Sequence, residues 1–125
     1  MSCLDAGDEI IIPEPFYANY NGFSTSSGVK VVPIPSGIED GFALPSIESF
    51  EKAVTTRTKA IMICNPNNPT GQVIHGAELE RYVEVGRRQR CALIFDEFYS
   101  HYLYDTVALE TVSLSAARHV EDVDK

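Results

Sequence analysis

Four side chains stand where their types and neighbours could do chemistry: Tyr17, Asn68, Asp96 and Tyr99. Asp96 follows the apolar run Ala92-Leu93-Ile94-Phe95, which delivers its carboxylate to the end of a buried strand. A carboxylate buried there is costly unless something cationic pairs with it. A helix cap or an internal salt bridge is the plain structural reading. Tyr99 stands three residues after Asp96, and Tyr17 follows the break Pro13-Glu14-Pro15. Either phenol could be ordinary half-buried packing. Asn68 belongs to Asn65-Pro66-Asn67-Asn68-Pro69-Thr70-Gly71, a stiff turn whose plain role is to fix a crossover.

The elements that must position these residues can be read from the flanking pattern. Ala60 to Cys64 is an uncharged run that ends abruptly in Asn, Pro and Gly. This reads as a strand buried on both faces, then a turn at its carboxyl end. Cys91 to Phe95 reads as a second such strand. In open α/β sheets, ligands bind at the carboxyl ends of the strands. Glu9-Ile10-Ile11-Ile12 reads as a short buried strand closed by Pro13, because proline cannot continue a central strand. A helix is expected from Phe16 to about Ser26, stopped by Gly28, and a strand over Val29 to Ile34. Pro35 to Gly41 is a polar loop. Pro45 is placed at the first position of a helix whose apolar face carries Ile47, Phe50 and Val54. A further helix is expected over Ala77 to Gln89, with Leu79, Tyr82, Val83 and Gly86 facing inward. Arg87, Arg88 and Arg90 then favour its dipole, and a short helix is expected over Thr111 to Val120. Alternation of this kind implies an α/β three-layer sandwich with a mainly parallel sheet.

Composition narrows the function. The 125 residues carry a net charge of −8, which disfavours nucleic acid or an anionic membrane as partner. Cys3, Cys64 and Cys91 form no C-x-x-C pair, and two of them sit in apolar strands, so a reducing compartment is expected. With no long apolar span or signal-peptide pattern, a cytoplasmic location is the expectation. His75, His101 and His119 share no metal-ligand spacing, and a serine nucleophile within Ser24 to Ser27 has no visible base. Leu93-Ile94-Phe95-Asp96-Glu97 resembles the magnesium-holding strand of P-loop ATPases, but neither G-x-x-x-x-G-K-[ST] nor G-x-G-x-x-G occurs.

Taken together, GDEIIIPEPFY, NPNNPTG and IFDEFY, in that order, resemble the large domain of fold-type I pyridoxal-phosphate enzymes, in particular the class I/II aminotransferases. The resemblance runs from Gly7 to about Tyr104. It implies pyridoxal 5'-phosphate as cofactor and a role for each of the four residues. Asp96 resembles the aspartate that ion-pairs with the pyridine nitrogen and keeps it protonated. Tyr99 resembles the tyrosine that hydrogen-bonds the phenolic oxygen, and Asn68 its second partner there. Tyr17 resembles the aromatic residue that stacks on the ring.

The departures are equally specific. The family's Schiff-base lysine lies on a later strand, and none of Lys30, Lys52, Lys59 and Lys125 matches it. The phosphate-cup region before the first strand and the carboxyl-terminal small domain are also without counterpart. The expectation is therefore a partial large domain over residues 1–125, cut at both ends and inactive by itself. Its parent would be a homodimeric aminotransferase acting on small amino acid and 2-oxo acid substrates. A pyridoxal-phosphate lyase or an aminocyclopropane-carboxylate-synthase-like enzyme, and a non-catalytic relative kept as a binding module, are the alternatives.

Overall fold

A computed structural model describes residues 3–102. They alternate strand and helix: β1 Glu9–Glu14, α1 Asn19–Ser26, β2 Lys30–Pro35, α2 Ile47–Ala53, β3 Thr58–Cys64, α3 Gly76–Gln89 and β4 Ala92–Asp96. Short 3-10 turns lie at Ile38–Asp40 and Ser100–Tyr102. The four strands form one sheet in the order β2-β1-β3-β4, and every pair is parallel. The expected short helix over Thr111 to Val120 lies outside the described residues.

Side chains alternate across the strands, and each face of the sheet gathers its own core. Ile11, Ile61 and Ile63 meet Phe50 of α2 and Leu79, Tyr82 and Val85 of α3. Ile10, Ile12, Ala60 and Cys64 meet Tyr20 of α1 on the opposite face. Helices therefore cover both faces, giving the expected three layers. The chain leaves β1 toward β2 on one side, while β3 pairs on its other side. The crevice between the carboxyl ends of β1 and β3 is thus a topological switch point, where such sheets bind ligands.

Local chemistry shifts several boundaries from those expected. Pro13 does not close β1; the strand continues through it to Glu14. Alternating backbone direction explains this. Glu14 O accepts from Ser36 N on the β2 side, which turns Pro13 toward β3. The β1–β3 pairing is already over there, its last pair being Ile11 with Ile61, so the missing N–H leaves no ladder bond unmade. α1 begins at Asn19 rather than Phe16. Ser46, not Pro45, starts α2: its Oγ accepts from Ser49 N at 3.3 Å. In α3 the buried residues are Leu79, Tyr82, Val85 and Gly86, so Val85 takes the place expected for Val83. Gly86 brings α3 close to β4, since a Cβ there would stand 2.5 Å from Leu93 Cγ. Arg87 and Arg88 both bond Glu84, at 2.8 and 2.7 Å, which lowers its carboxyl to about 2.

The amino ends of the strands are tied by one carboxylate. Glu9, with a side chain only 2% exposed, accepts from Thr55 Oγ1 at 2.6 Å, Arg57 Nη2 at 2.8 Å and Lys30 Nζ at 3.4 Å. The Thr55 hydrogen bond, against burial and with help from Lys30 and Arg57, holds its carboxyl below the ordinary 4.5. A lowered folded-state value means that this stabilisation is complete above about pH 4.5 and is lost as the pH falls through the folded value. Glu9→Gln should therefore flatten the acid limb of a urea-midpoint-against-pH curve below that point. An unchanged slope would show that Glu9 does not carry it.

Candidate functional site

The turn after β3 is built by its own asparagines. Asn65 is fully buried and makes two bonds with one backbone residue: its Nδ2 donates to Ile74 O at 3.1 Å and its Oδ1 accepts from Ile74 N at 2.8 Å. The side chain thereby stands in for a strand partner and pulls the returning chain against the sheet. Asn67 Oδ1 accepts from Thr70 N at 3.1 Å and from Thr70 Oγ1 at 2.9 Å, closing the turn on itself. Gly71 adopts φ 75°, which a side chain would resist. Asn68 instead reaches across to the segment after β4. Its Nδ2 donates to Tyr99 Oη at 3.1 Å.

Tyr99 accepts that bond and so keeps its own hydroxyl proton for another acceptor, while Asn68 keeps a second N–H. The pair therefore has two donors left for a ligand.

Asp96 ends β4 beside β3. Cys64 is its ladder partner, and its backbone oxygen accepts from Asn65 N at 2.9 Å. Both carboxylate oxygens are engaged. Oδ1 accepts from Phe98 N at 3.0 Å, and Oδ2 accepts from Tyr20 Oη at 2.5 Å. Among the described residues, no Lys, Arg or His forms an ion pair with it. The two donors fix the carboxylate plane yet leave lone pairs free, so the group can still take a cationic N–H from outside. Of the two structural roles open to Asp96, an internal salt bridge is absent among the described residues, and the Phe98 bond is a local turn contact.

Tyr17, 41% exposed, lies between the end of β1 and the start of α1. Asn19 Nδ2 donates to its hydroxyl at 2.8 Å, and its ring meets that of Tyr20 edge to face, with centroids 5.7 Å apart. The four residues singled out in the sequence are therefore two linked sets: Asn68 with Tyr99, and Tyr17 through Tyr20 to Asp96. Cys64 lies between them. Burial pushes its thiol up, and Tyr20, the Asn68 backbone and Asp96 all act on it.

The sequence reading missed Tyr20, and it placed Asn65 and Asn67 in the turn without their individual bonds. Tyr20 lies three residues beyond Tyr17, a spacing that puts both on one side of a helical turn, which was the available signal. Ser26 and Ser27 donate to Phe23 O, at 2.9 and 3.0 Å. His75 stands at the start of α3 without a side-chain cap bond, and His119 lies outside the described residues.

The two asparagines should separate by stability. Asn65→Ala strands a buried N–H and a buried C=O of Ile74 and should cost roughly 2–4 kcal/mol in urea unfolding. Asn68→Ala, which loses one part-buried bond, should cost about 1 kcal/mol or less. Equal costs would contradict this division of labour.

Known proteins with this architecture carry the same elements. Residues 1–123 match the family model for aminotransferase class I and II. A probable aspartate/prephenate aminotransferase of Aquifex aeolicus is 39% identical over 104 residues, covering 83% of this chain and 26% of the relative. A glutamate-pyruvate aminotransferase of Haemophilus influenzae is 39% identical over 102 residues, covering 82% of this chain and 25% of the relative. The solved structure of Thermus thermophilus aspartate aminotransferase with maleate superposes with a TM-score of 0.83 at 34% identity, covering 94% of this chain and 29% of that one. The chain thus spans about a quarter of the length of these curated relatives. On the family match and the shared fold, this chain belongs to the class I/II aminotransferases, a fold-type I family of pyridoxal-phosphate-dependent enzymes.

Proposed function

We propose that this chain supplies the ring-binding part of a pyridoxal 5'-phosphate site, in a protein that transfers an amino group between an amino acid and a 2-oxo acid. The observation that carries this reading is Asp96. It is a partly buried carboxylate whose two oxygens are held by Tyr20 and Phe98 while no cation among the described residues pairs with it. A protonated pyridine nitrogen is the cation that such a group fits.

Bound pyridoxal phosphate supplies a protonated ring that takes up the electron pair released at the substrate's α-carbon. The chain's own residues set the conditions for this. Asp96, held on both oxygens, keeps a proton on the ring nitrogen. Tyr99 and Asn68 direct donors at the ring's hydroxyl oxygen and stabilise its anionic form. Tyr17 offers an exposed aromatic ring after the carboxyl end of β1 for stacking. The family match displaces the ATPase-like reading of Leu93 to Glu97, because it accounts for the neighbouring Asn-Pro turn as well.

Among the described residues, no lysine stands where a Schiff base could form beside Asp96. Glu9 holds Lys30 at the amino ends of the strands. Lys59 is the second residue of β3, also at that end, and Lys52 sits in the last turn of α2. All three are remote from the rim that carries Asp96. Proton transfer at the α-carbon is therefore assigned to a part of the protein beyond these residues. The relatives named above act on different amino acids, and no single substrate is proposed. A homodimeric assembly and a cytoplasmic location belong to the same reading. Among the described residues, no helix is long and apolar enough to cross a membrane.

Pyridoxamine 5'-phosphate needs no lysine to bind, so it tests the site directly. The chain should bind it reversibly in a fluorescence titration, with Asp96→Asn weakening affinity by about tenfold or more. The isolated chain should show no turnover of amino acid with 2-oxo acid. Absence of binding, or binding indifferent to Asp96, would overturn the proposal.

A further inference from the structure

Tyr20 is the residue that the fold places between Tyr17 and Asp96, and none of the four sequence-derived roles uses it. Its side chain is buried, 7% exposed, in the core under α1. It comes from the first turn of α1, while Asp96 ends β4, 76 residues later. A buried phenol can be satisfied by any nearby carbonyl. Here it is spent on a carboxylate, at 2.5 Å, whose other oxygen already has a backbone donor. The ring of the same residue meets Tyr17 edge to face at 5.7 Å and Phe16 in a stacked arrangement at 6.4 Å.

We infer that Tyr20 is a two-ended positioning residue of the cofactor site, its hydroxyl orienting Asp96 toward the ring nitrogen and its ring orienting Tyr17 for stacking. This rests on the pyridoxal-phosphate reading above and extends it to a residue that does not itself meet the cofactor. The two ends act by different physics. The hydroxyl fixes the rotation of the Asp96 side chain and leaves its remaining lone pairs aimed in one direction. It does so as a donor at every working pH. Burial, followed by the Asp96 hydrogen bond, pushes the phenol far above its ordinary value, so it does not ionise and repel the carboxylate. The ring acts by shape: without it, Tyr17 loses its edge-to-face neighbour and keeps the Asn19 bond to its hydroxyl.

The two ends can be separated with two variants and two ligands. Tyr20→Phe removes the hydroxyl and keeps the ring; Tyr20→Leu removes both. Pyridoxamine 5'-phosphate carries the ring nitrogen, and its 1-carba analogue replaces that nitrogen with C–H. Affinities are measured by fluorescence or calorimetry on the whole chain. Tyr20→Phe should weaken the natural ligand by about fivefold or more and leave the carba analogue within about twofold of wild type. Tyr20→Leu should weaken both. A packing role alone cannot depend on the ring nitrogen, so equal weakening of both ligands by Tyr20→Phe would overturn the inference. So would no weakening of either. If wild-type protein binds neither ligand, the pyridoxal-phosphate reading fails first and the inference falls with it, an outcome distinct from the other two.

Discussion

A carboxylate at the end of a sheet strand, held by two donors and by no described cation, is the constraint on which the rest of the structure depends. Asp96 sits where the backbone ladder stops, beside Cys64 and beneath α1. Leaving it there has an energetic cost that only a cation or a set of hydrogen bonds can offset. The hydrogen bonds come from Phe98, two residues on, and from Tyr20, at the other end of the described chain. To deliver Tyr20, α1 must pack on one face of the sheet between β1 and β2. To deliver Asp96, Gly86 must let α3 approach Leu93 closely on the opposite face. Both helix layers therefore contribute to the orientation of one side chain.

The rim has a division of labour that follows from burial. Fully buried Asn65 spends its amide on Ile74, and Asn67 spends its own on Thr70. Half-buried Asn68 makes no bond within the turn, and its amide couples to Tyr99 instead. At the opposite end, Glu9 gathers Lys30, Arg57 and Thr55. One end of the sheet thus pairs its buried carboxylate internally, with cations of its own. The other leaves its carboxylate, among the described residues, without one. That asymmetry separates a structural ion pair from a candidate ligand site in the same small sheet.

Much of this was legible in the sequence, for a definite reason. Apolar runs that break abruptly into Asn-Pro or Asp-Glu mark strand ends, and strand ends mark the rim. Asp96, Tyr99 and Asn68 could therefore be assigned to one place before the structure was known. The mainly parallel sheet followed from strand-helix alternation. What could not be read depends on register or on distant contacts. Pro13 continues β1 because it happens to face the side where β3 has ended, and no local rule reports that. Val85 rather than Val83 is buried because the face of α3 is set by the sheet it meets. Tyr20 reads as one aromatic among several until β4 brings Asp96 to it.

The central claim is that Asp96 is oriented to keep a proton on a pyridine nitrogen. The direct test is the nitrogen NMR shift of ring-labelled pyridoxamine 5'-phosphate bound to the chain, followed as a function of pH beside the free ligand. The account predicts that the bound ring nitrogen stays protonated at pH values where the free ligand has lost that proton, and that Asp96→Asn removes the difference. A bound nitrogen that titrates like the free one in the wild-type chain would contradict the account.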